Sequence, residues 1–576
     1  MPWTRGQSYP VAGPGTNRHR GPRDIFCLVT PPASRQRLAN AAIVLLALVA
    51  SVTSLGNGFP LDDRVIVLEN PAVHTLSGWW TLFGESYWPA ARGGGLYRPV
   101  TMLGFAVQWV LGDGAPWIFH AVNIGLYACL ALAVLRLART AMPETAAIVA
   151  AALFAVHPVH VEAVANVVAL SELLAALAMV LAVAIYIERR RAGPLRGRDV
   201  AVIAALYALA CFSKEHGAML PVLIAGAELV LLRDTGPLAV RWRASRTVAL
   251  ALIGVAAVYV AARYSALSGF KGEYPHVVWA VVPRSTRQLT MLGVSGQWMR
   301  LLFWPARLAA DYTPPGVPLI DSWQWMLLPV AFGFYGLKGM VVVGWKRAPL
   351  VAFACAWVVV TLFPVSNTLV VAGLILAERT LLLPSVGVVL LAGAAASALL
   401  ALQGPRAPQV RVAAAALCAA LVVAGAAASA QRQLVWKDNE TLFKQTVVDA
   451  PLSYRAHYNL GAWYFEHADP RAGERELQRA AALFPYDYEP MAYLANEYRK
   501  KDLCAPALPL YLKAIKLAPR ANEVRIGLVG CLIAQADFDT ARLTARRGME
   551  FGGPATREYR RLIGVADSLQ QLAVKP

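Results

Sequence analysis

The chain has 576 residues, of which 57% are hydrophobic and 15% are charged. Soluble domains carry about 25% charged residues, so this composition argues against a soluble globular protein and predicts an integral membrane protein. The formal net charge is +19, but the basic residues form short clusters between apolar runs, which is typical of cytoplasmic loops and not of a nucleic-acid interface. The seven cysteines are too scattered for a disulfide framework or a zinc site.

Residues 1–37 are polar and rich in Pro, Gly and Arg, which predicts a disordered cytoplasmic tail. Eleven apolar runs follow within residues 38–432, and the loops on one side collect Arg or Lys. This alternation predicts an all-α, polytopic membrane domain of about 11 transmembrane helices with a cytoplasmic N-terminus. Some runs are shorter than the roughly 20 residues of a full crossing, so those near Val156 and Phe212 are expected to end inside a protein-lined cavity. The preference for Arg, Ala, Val and Leu indicates a bacterial source, and hence a bacterial inner membrane.

A long loop, residues 56–116, follows the first span and contains the adjacent acids Asp62 and Asp63. Ionisable groups next to hydrocarbon are costly and often functional. The alternative is a pair of solvated loop acids that cap the next helix. In either case both acids are expected to be exposed, and replacing an exposed loop acid should barely change the melting of the protein. The number of crossings places this loop and the C-terminal domain on the same, outer side of the membrane.

Residues 433–576 are soluble in character and repeat every 34 residues, as in Leu460, Leu494 and Leu528. This is the tetratricopeptide period, and it predicts repeats near residues 454–487, 488–521 and 522–555. Three units are enough for a stable α-solenoid. Its concave groove would hold a peptide or protein partner; the alternative is a passive scaffold.

Adjacent helices of such a solenoid run antiparallel, which brings the start of one next to the end of the other. Cys504 lies near the start of one predicted helix and Cys531 near the end of the next. In an oxidising compartment this proximity predicts a disulfide. The alternative is a pair of buried free thiols.

Short motifs recur in a fixed order between residues 59 and 387. They are Leu61-Asp62-Asp63, Asn70-Pro71, Tyr97-Arg98-Pro99, Phe119-His120-x-x-Asn123, Phe154-Ala155-Val156-His157-Pro158-Val159-His160-Val161-Glu162, Ser213-Lys214-Glu215, Asp311-Tyr312, Phe363-Pro364-Val365-Ser366-Asn367, Ala377-Glu378-Arg379 and Leu383-Pro384-Ser385. The ordered set resembles the transmembrane and tetratricopeptide-repeat-containing O-mannosyltransferases, a family of type C glycosyltransferases. The chain departs from the family at two places. Before the acid of the fourth span the family tends to have Gly-Arg, whereas this chain has Ala169-Leu170-Ser171-Glu172, and Leu126-Tyr127 stands where the family often has Leu-His.

The resemblance implies a polyprenyl-phosphate sugar donor, an outward-facing active site in the first loop and an inverting transfer. The expected sugar is mannose and the expected acceptor is a hydroxyl group, with Ser and Thr of proteins favoured. No cofactor is assigned, apart from a divalent cation as a candidate ligand of the acid pair. The resemblance also makes Asp62 the first choice for the catalytic base and Asp63 the second.

The chemistry of the residues agrees with this role. Transfer from a lipid phosphate needs a base for the hydroxyl and positive charge for the leaving phosphate. Asp62 or Asp63 can be the base; alternatively, the pair binds a divalent cation. Arg98, Lys214 and Arg379 lie at outer membrane boundaries and are candidates for binding the donor phosphate, although interfacial snorkelling would also place them there.

Other polar residues are expected to shape the site: His120, Asn123, His157, His160, Glu162, Glu215 and Glu378. For His157, His160 and Glu162, a metal cluster is the alternative to a hydrogen-bonded turn or a contact to the donor phosphate. Two other functions are alternatives. A transporter or flippase of lipid-linked sugars would carry charges near span centres and an inverted repeat, and a non-catalytic anchor for the solenoid would leave the acid pair unexplained. The sequence shows neither transporter feature, so it favours a transferase.

Overall fold

The computed structural model describes residues 32–89, 95–269, 277–325, 327–369, 371–553 and 555–574. Most of the predicted tail, residues 1–31, therefore lies outside the described residues. Residues 33–37 of the predicted tail are helical, because helix α1 begins at Ala33. The described residues form helices and turns, with no β-strand among them. The prediction of an all-α protein is confirmed.

The membrane part contains fifteen described α-helices. They are α1 (Ala33–Ser51), α2 (Pro99–Gly112), α3 (Pro116–Arg139), α4 (Glu144–Ala155), α5 (Val161–Ala165), α6 (Leu170–Ala192), α7 (Gly197–Ser213), α8 (Leu220–Gly226), α9 (Leu238–Ala266), α10 (Val277–Val281), α11 (Arg284–Phe303), α12 (Leu327–Arg347), α13 (Pro349–Leu362), α14 (Leu382–Ala401) and α15 (Ala407–Gln433). Short helical turns connect several of them.

Within the described residues, seven helical segments are long and apolar enough to cross a membrane. They are Ala33–Gly56, Pro116–Arg139, Val167–Ala192, Leu238–Ala266, Leu327–Arg347, Glu378–Ala401 and Ala407–Trp436. An eighth is formed if α4 and the segment Pro158–Ala165, which is bent from it by 49°, count together. The chain is therefore a multi-pass membrane protein. The other three predicted crossings coincide with the shorter helices α7, α8 and α13, so the number eleven remains a prediction.

The centre of the membrane part is built from α3, α4 and α6, which are rich in small buried residues. Ala146, Ala147, Ala150 and Ala151 are fully buried along α4. Lipid chains are as apolar as Leu, so helices in a membrane associate mainly through close packing, which small residues permit. The helix then breaks at His157, whose Nδ1 accepts a hydrogen bond from the backbone N of Val159 (3.2 Å) and so caps the next turn.

The C-terminal part contains eight described helices in series. They are α16 (Asn439–Asp449), α17 (Tyr454–Glu466), α18 (Pro470–Leu483), α19 (Glu489–Lys500), α20 (Cys504–Leu517), α21 (Asn522–Ala534), α22 (Phe538–Met549) and α23 (Thr556–Val574). From α17 onwards the helices form pairs, and the turn inside each pair contains a residue with nearly the same backbone angle. These residues are Ala468, Asp502 and Ala536, with φ of 61°, 59° and 60°. These left-handed residues are 34 positions apart, so the repeating unit of structure has the length of the repeating unit of sequence.

Cys504 and Cys531 form a disulfide, with Cα atoms 5.1 Å apart. Cys504 is the first residue of α20 and Cys531 lies in the second half of α21. The predicted proximity of these two helix ends, and the bond itself, are confirmed.

We expect the disulfide to protect both thiols from alkylation in the native protein. The purified protein should incorporate two more maleimide groups after reduction and unfolding than after unfolding alone, counted by mass spectrometry of the peptides that contain Cys504 and Cys531. The matched control is Cys355, a buried cysteine without a disulfide partner, whose labelling on unfolding should not depend on reduction. Equal labelling of all three cysteines without reductant would contradict the disulfide.

Candidate active site

A cavity of about 180 Å³ lies where the acid loop meets the ends of several membrane helices. Its wall includes Asp62 from the loop, Arg98 at the start of α2, Lys214 after α7, and Arg379 before α14. The structure therefore brings together one acid of the predicted pair and all three cations predicted to bind phosphate. Lys214 follows directly after α7, so this short helix ends at the cavity, as the sequence predicts.

The two acids of the pair have different environments. Asp62 lines the cavity. Asp63 is fully buried, and its carboxylate accepts hydrogen bonds from the backbone N of Val167 (3.0 Å) and of Val168 (2.8 Å). Burial raises the pKa of the Asp63 carboxyl well above its usual value, while the two backbone donors oppose that shift. The chain turns sharply just before the pair, at Leu61, which has φ of 54°.

The expectation that both acids are exposed and contribute little to stability is wrong for Asp63. Its exposed fraction is 0%, because the loop folds back onto the short helical turn that precedes α6. The two amide donors satisfy a carboxylate that would otherwise be costly to bury.

Each of the three predicted cations is paired with an acid from another part of the chain. Arg98 donates two hydrogen bonds to Glu215, of 3.1 and 2.8 Å. Lys214 pairs with Glu172 on α6, and Arg379 pairs with Glu162 on α5 through its side chain and its backbone N. Snorkelling alone does not explain these residues, because their charged ends point into the protein and not along the membrane surface.

The wall of the cavity is rich in charged groups. It carries the cations Arg98, Lys214, Arg379 and Arg263 and the carboxylates of Asp62 and Glu215. Burial alone would raise the pKa of Glu215, but the charge and hydrogen bonds of Arg98 hold it at about 2, so Glu215 is ionised at neutral pH. With Glu162 and Glu172, which pair with Arg379 and Lys214, the four cations face four carboxylates, and an anionic ligand would contact cations that already have acidic partners.

The residues predicted to shape the site hold the backbone around it. His120 is hydrogen-bonded to the carbonyl O of Gly58 (3.1 Å), which fixes the acid loop. Asn123 donates to the carbonyl O of Val164 and of Asn166 (3.3 and 3.2 Å), which fixes the chain before the turn that binds Asp63.

His157 and His160, at the break that follows α4, are both hydrogen-bonded to neighbouring groups. His157 is bonded to the carbonyl O of Leu302 (3.0 Å), and His160 to Tyr127 and Ser385 (2.9 and 2.8 Å). The Leu126-Tyr127 departure thus supplies a hydroxyl that contacts His160. In the part of the chain that the structure describes, no three His, Cys, Asp or Glu side chains are placed to share a metal ion, and both oxygens of Asp63 face amide donors. The geometry matches hydrogen-bonded turns.

Sequence reasoning missed several residues of the site. Glu172 stands out in the sequence only as part of a departure from the family motif. In the structure it lies in the first turn of α6, where it pairs with Lys214 and lies 3.7 Å from His216. Arg263, near the end of α9, lies 3.6 Å from Glu215. Tyr87 is buried beneath Arg98, whose guanidinium lies 4.9 Å from the ring centroid. An acid and a base at the ends of apolar runs are signals that could have identified Glu172 and Arg263.

The start of the C-terminal part contacts the acid loop on both sides of Asp62. Before it, Gly58 N donates to Lys437 O (2.8 Å) and Leu61 N to the side chain of Asn439 (2.7 Å). After it, Arg64 lies 3.7 Å from Glu466 at the end of α17. The acid loop and the repeats therefore lie on the same side of the membrane part.

Several known proteins are similar to this chain in sequence. No family model matches the chain. It is 28% identical over 391 residues to human protein O-mannosyl-transferase TMTC3, a match that covers 61% of this chain and 42% of the relative. It is 25% identical over 482 residues to human protein O-mannosyl-transferase TMTC4, covering 73% and 63%. Its sequence relatives are protein O-mannosyl-transferases. The resemblance predicted from the motifs is confirmed.

The extent of these matches is limited. The chain spans about two fifths of the length of the TMTC3 relatives from human and mouse. Among solved structures, the archaeal oligosaccharyltransferase of Archaeoglobus fulgidus matches with 14% identity, a TM-score of 0.39, and coverage of 78% of this chain and 59% of that one. Yeast Tom70 matches with 12% identity, a TM-score of 0.22, and coverage of 69% and 89%. Scores this low do not establish a shared fold.

The different environments of the acids predict different effects on stability. Asn at position 63 can accept only one of the two backbone hydrogen bonds, and its amide group would oppose the other donor. We expect Asp63→Asn to destabilise the protein by about 1–3 kcal/mol, the cost of leaving a buried polar group unsatisfied, and to lower the melting temperature in detergent.

The matched control is Asp62→Asn, which should melt like the wild type because the Asp62 carboxylate faces the cavity. Melting is followed by intrinsic fluorescence of the purified proteins. If Asp63→Asn melts at the wild-type temperature, the buried carboxylate does not anchor the loop.

Proposed function

We propose that this chain is a membrane glycosyltransferase that moves a sugar, most simply mannose, from a polyprenyl-phosphate donor to the hydroxyl group of Ser or Thr in a protein. The observation that supports this most is that the wall of one cavity carries both an acid, Asp62, and three cations that can contact a phosphate: Arg98, Lys214 and Arg379. The sequence relatives, named protein O-mannosyl-transferases, supply the reaction class.

We propose the following roles for the residues. The phosphate of the donor contacts Arg379, Lys214 and Arg98 while its lipid chain stays in the bilayer. Arginine suits this task because its planar group can bind two phosphate oxygens at once. The cations do not need to be free beforehand, because a guanidinium has five N–H donors and can share them between its carboxylate partner and the phosphate.

Asp62 then acts as the general base. Its carboxylate takes the proton of the acceptor hydroxyl as the oxygen attacks the anomeric carbon. The bond from that carbon to the phosphate oxygen breaks on the opposite face, so the configuration inverts, and the electron pair leaves with the polyprenyl phosphate. The cations stabilise the charge that develops on this leaving group. Asp63 fixes the position of Asp62 and does not take part in the proton transfer.

We propose the type C glycosyltransferase architecture with eleven crossings, followed by a tetratricopeptide solenoid. The bent pair of α4 and Pro158–Ala165, with the short helices α7, α8 and α13, supplies the four crossings beyond the seven long segments. The acid loop and the solenoid then lie together on the extracytoplasmic face, and the composition of the chain fits a bacterial inner membrane.

The role of Asp62 is tested by transfer from a polyprenyl-phosphate mannose to a threonine-containing peptide by the purified protein. Asp62→Asn keeps the shape of the side chain but removes its ability to accept a proton. We expect the rate of transfer to fall about 10²-fold or more, the usual contribution of general base catalysis.

The matched control is Glu85→Gln, which removes an exposed acid of the same loop and should leave transfer unchanged. Full turnover by Asp62→Asn and by the double variant with Asp63→Asn would contradict the proposal.

A further inference from the structure

The first repeat helix, α17, begins in contact with a loop of the membrane part. The hydroxyl of Ser453, the residue before α17, is bonded to Asp311 (2.6 Å) and to Thr313 (2.9 Å). One residue on, Tyr454 N donates to Pro314 O (3.3 Å). These bonds fix the first turn of α17 relative to the membrane part.

The same loop is attached to the wall of the active-site cavity. Glu378 accepts hydrogen bonds from Ala309 N (2.7 Å) and from the hydroxyl of Tyr312. The next residue, Arg379, lines the cavity that contains Asp62. A continuous series of contacts therefore leads from the candidate active site to the first turn of α17.

A second cavity, of about 530 Å³, lies between this loop and the segment that leads into α17. Asp311, Tyr312 and Ser453 contribute to its wall. Its volume lies in the range of ligand-binding pockets. The Glu378–Arg379 dipeptide separates it from the first cavity, because Tyr312 on one side bonds Glu378 and Arg379 lines the other.

Arg455 is the second residue of α17 and follows the contacts of Ser453 and Tyr454 with this loop. Its residue is exposed, and the charges of Asp311, Glu489 and Asp62 raise the pKa of its guanidinium. The acid loop contacts the other end of the same helix, where Arg64 lies 3.7 Å from Glu466. Among the residues that the structure describes, the side chain of Arg455 is not joined to any other by a hydrogen bond or an ion pair, whereas every cation predicted to bind phosphate is paired with an acid. Its N–H donors are thus available to a ligand that contacts this end of α17.

The neighbouring charges indicate the kind of ligand. The negative charges of Asp311, Glu489 and Asp62 all act on Arg455, so an acidic group bound there would be repelled by these carboxylates. Neutral carbonyl oxygens accept from a guanidinium without that penalty. One helical turn further on, Tyr458 packs edge-to-face with Tyr493 of α19, with ring centroids 6.1 Å apart. This gives an extended peptide an aromatic surface on which to continue from Arg455.

We propose that Arg455 binds the acceptor, donating hydrogen bonds to main-chain carbonyl oxygens of the peptide and so holding its hydroxyl group near Asp62. The first repeat is then part of the acceptor site and not a remote tether. This inference rests on the proposed function, since it assigns the acceptor side of that reaction.

The test measures KM separately for a synthetic threonine-containing peptide, selected as a substrate of the wild-type protein, and for polyprenyl-phosphate mannose. Arg455→Ala should raise the KM of the peptide about tenfold, the loss expected for one hydrogen bond to a charged group. The donor KM and kcat should stay near their wild-type values. Arg455→Lys should recover part of the loss, because Lys keeps the charge and a donor.

The matched control is Arg475→Ala, which removes an exposed arginine on α18 of the same repeat and should change neither KM. Wild-type transfer with an unchanged peptide KM in Arg455→Ala would overturn this inference alone. If the wild-type protein transfers no sugar to any peptide, the proposed function fails, and this inference fails with it.

Discussion

The buried carboxylate of Asp63 is the contact on which the geometry of the site depends. It binds the backbone N of Val167 and Val168, at the turn where one helix ends and α6 begins. Consecutive residues of a helical turn point about 100° apart, so anchoring Asp63 inward directs Asp62 towards the cavity. A carboxylate in this position is stable only because both of its oxygens are satisfied. In the proposed mechanism, the pair is thus one anchor, Asp63, and one reactive group, Asp62.

The charges of the site also hold the membrane helices together at the ends that face the cavity. The ion pairs Arg98–Glu215, Lys214–Glu172 and Arg379–Glu162 each connect two segments that are distant in sequence. Buried charges need such partners, because removing one partner leaves a costly unpaired charge. In the proposed mechanism the same pairs hold the cations in position for the donor phosphate, so stability and phosphate binding would depend on the same residues.

Much of this arrangement could be predicted from the sequence. The apolar runs predicted the long membrane helices, because a helix that faces lipid must consist mainly of apolar residues. The 34-residue period predicted helix pairs whose turns at Ala468, Asp502 and Ala536 do repeat at that interval. The grouping of Asp62 with Arg98, Lys214 and Arg379 followed from placing each at an outer boundary.

Other features could not be predicted, because they depend on contacts between distant segments. Nothing in the Asp62-Asp63 dipeptide shows which acid is buried, since that is decided by amides about a hundred residues away. The pairing of Lys214 with Glu172 could not be predicted, because the two residues are 42 positions apart in the sequence and meet only through the packing of α6 against the end of α7. The exposure predicted for both acids failed for the same reason.

The most direct test of the account is a cryo-electron microscopy structure of the Asp62→Asn variant bound to polyprenyl-phosphate mannose. The account predicts the phosphate within hydrogen-bonding distance, about 2.7–3.2 Å, of Arg379 and of at least one of Arg98 and Lys214. The anomeric carbon should face the side chain at position 62. A donor bound with its phosphate away from these cations, or with the sugar facing away from position 62, would contradict the account.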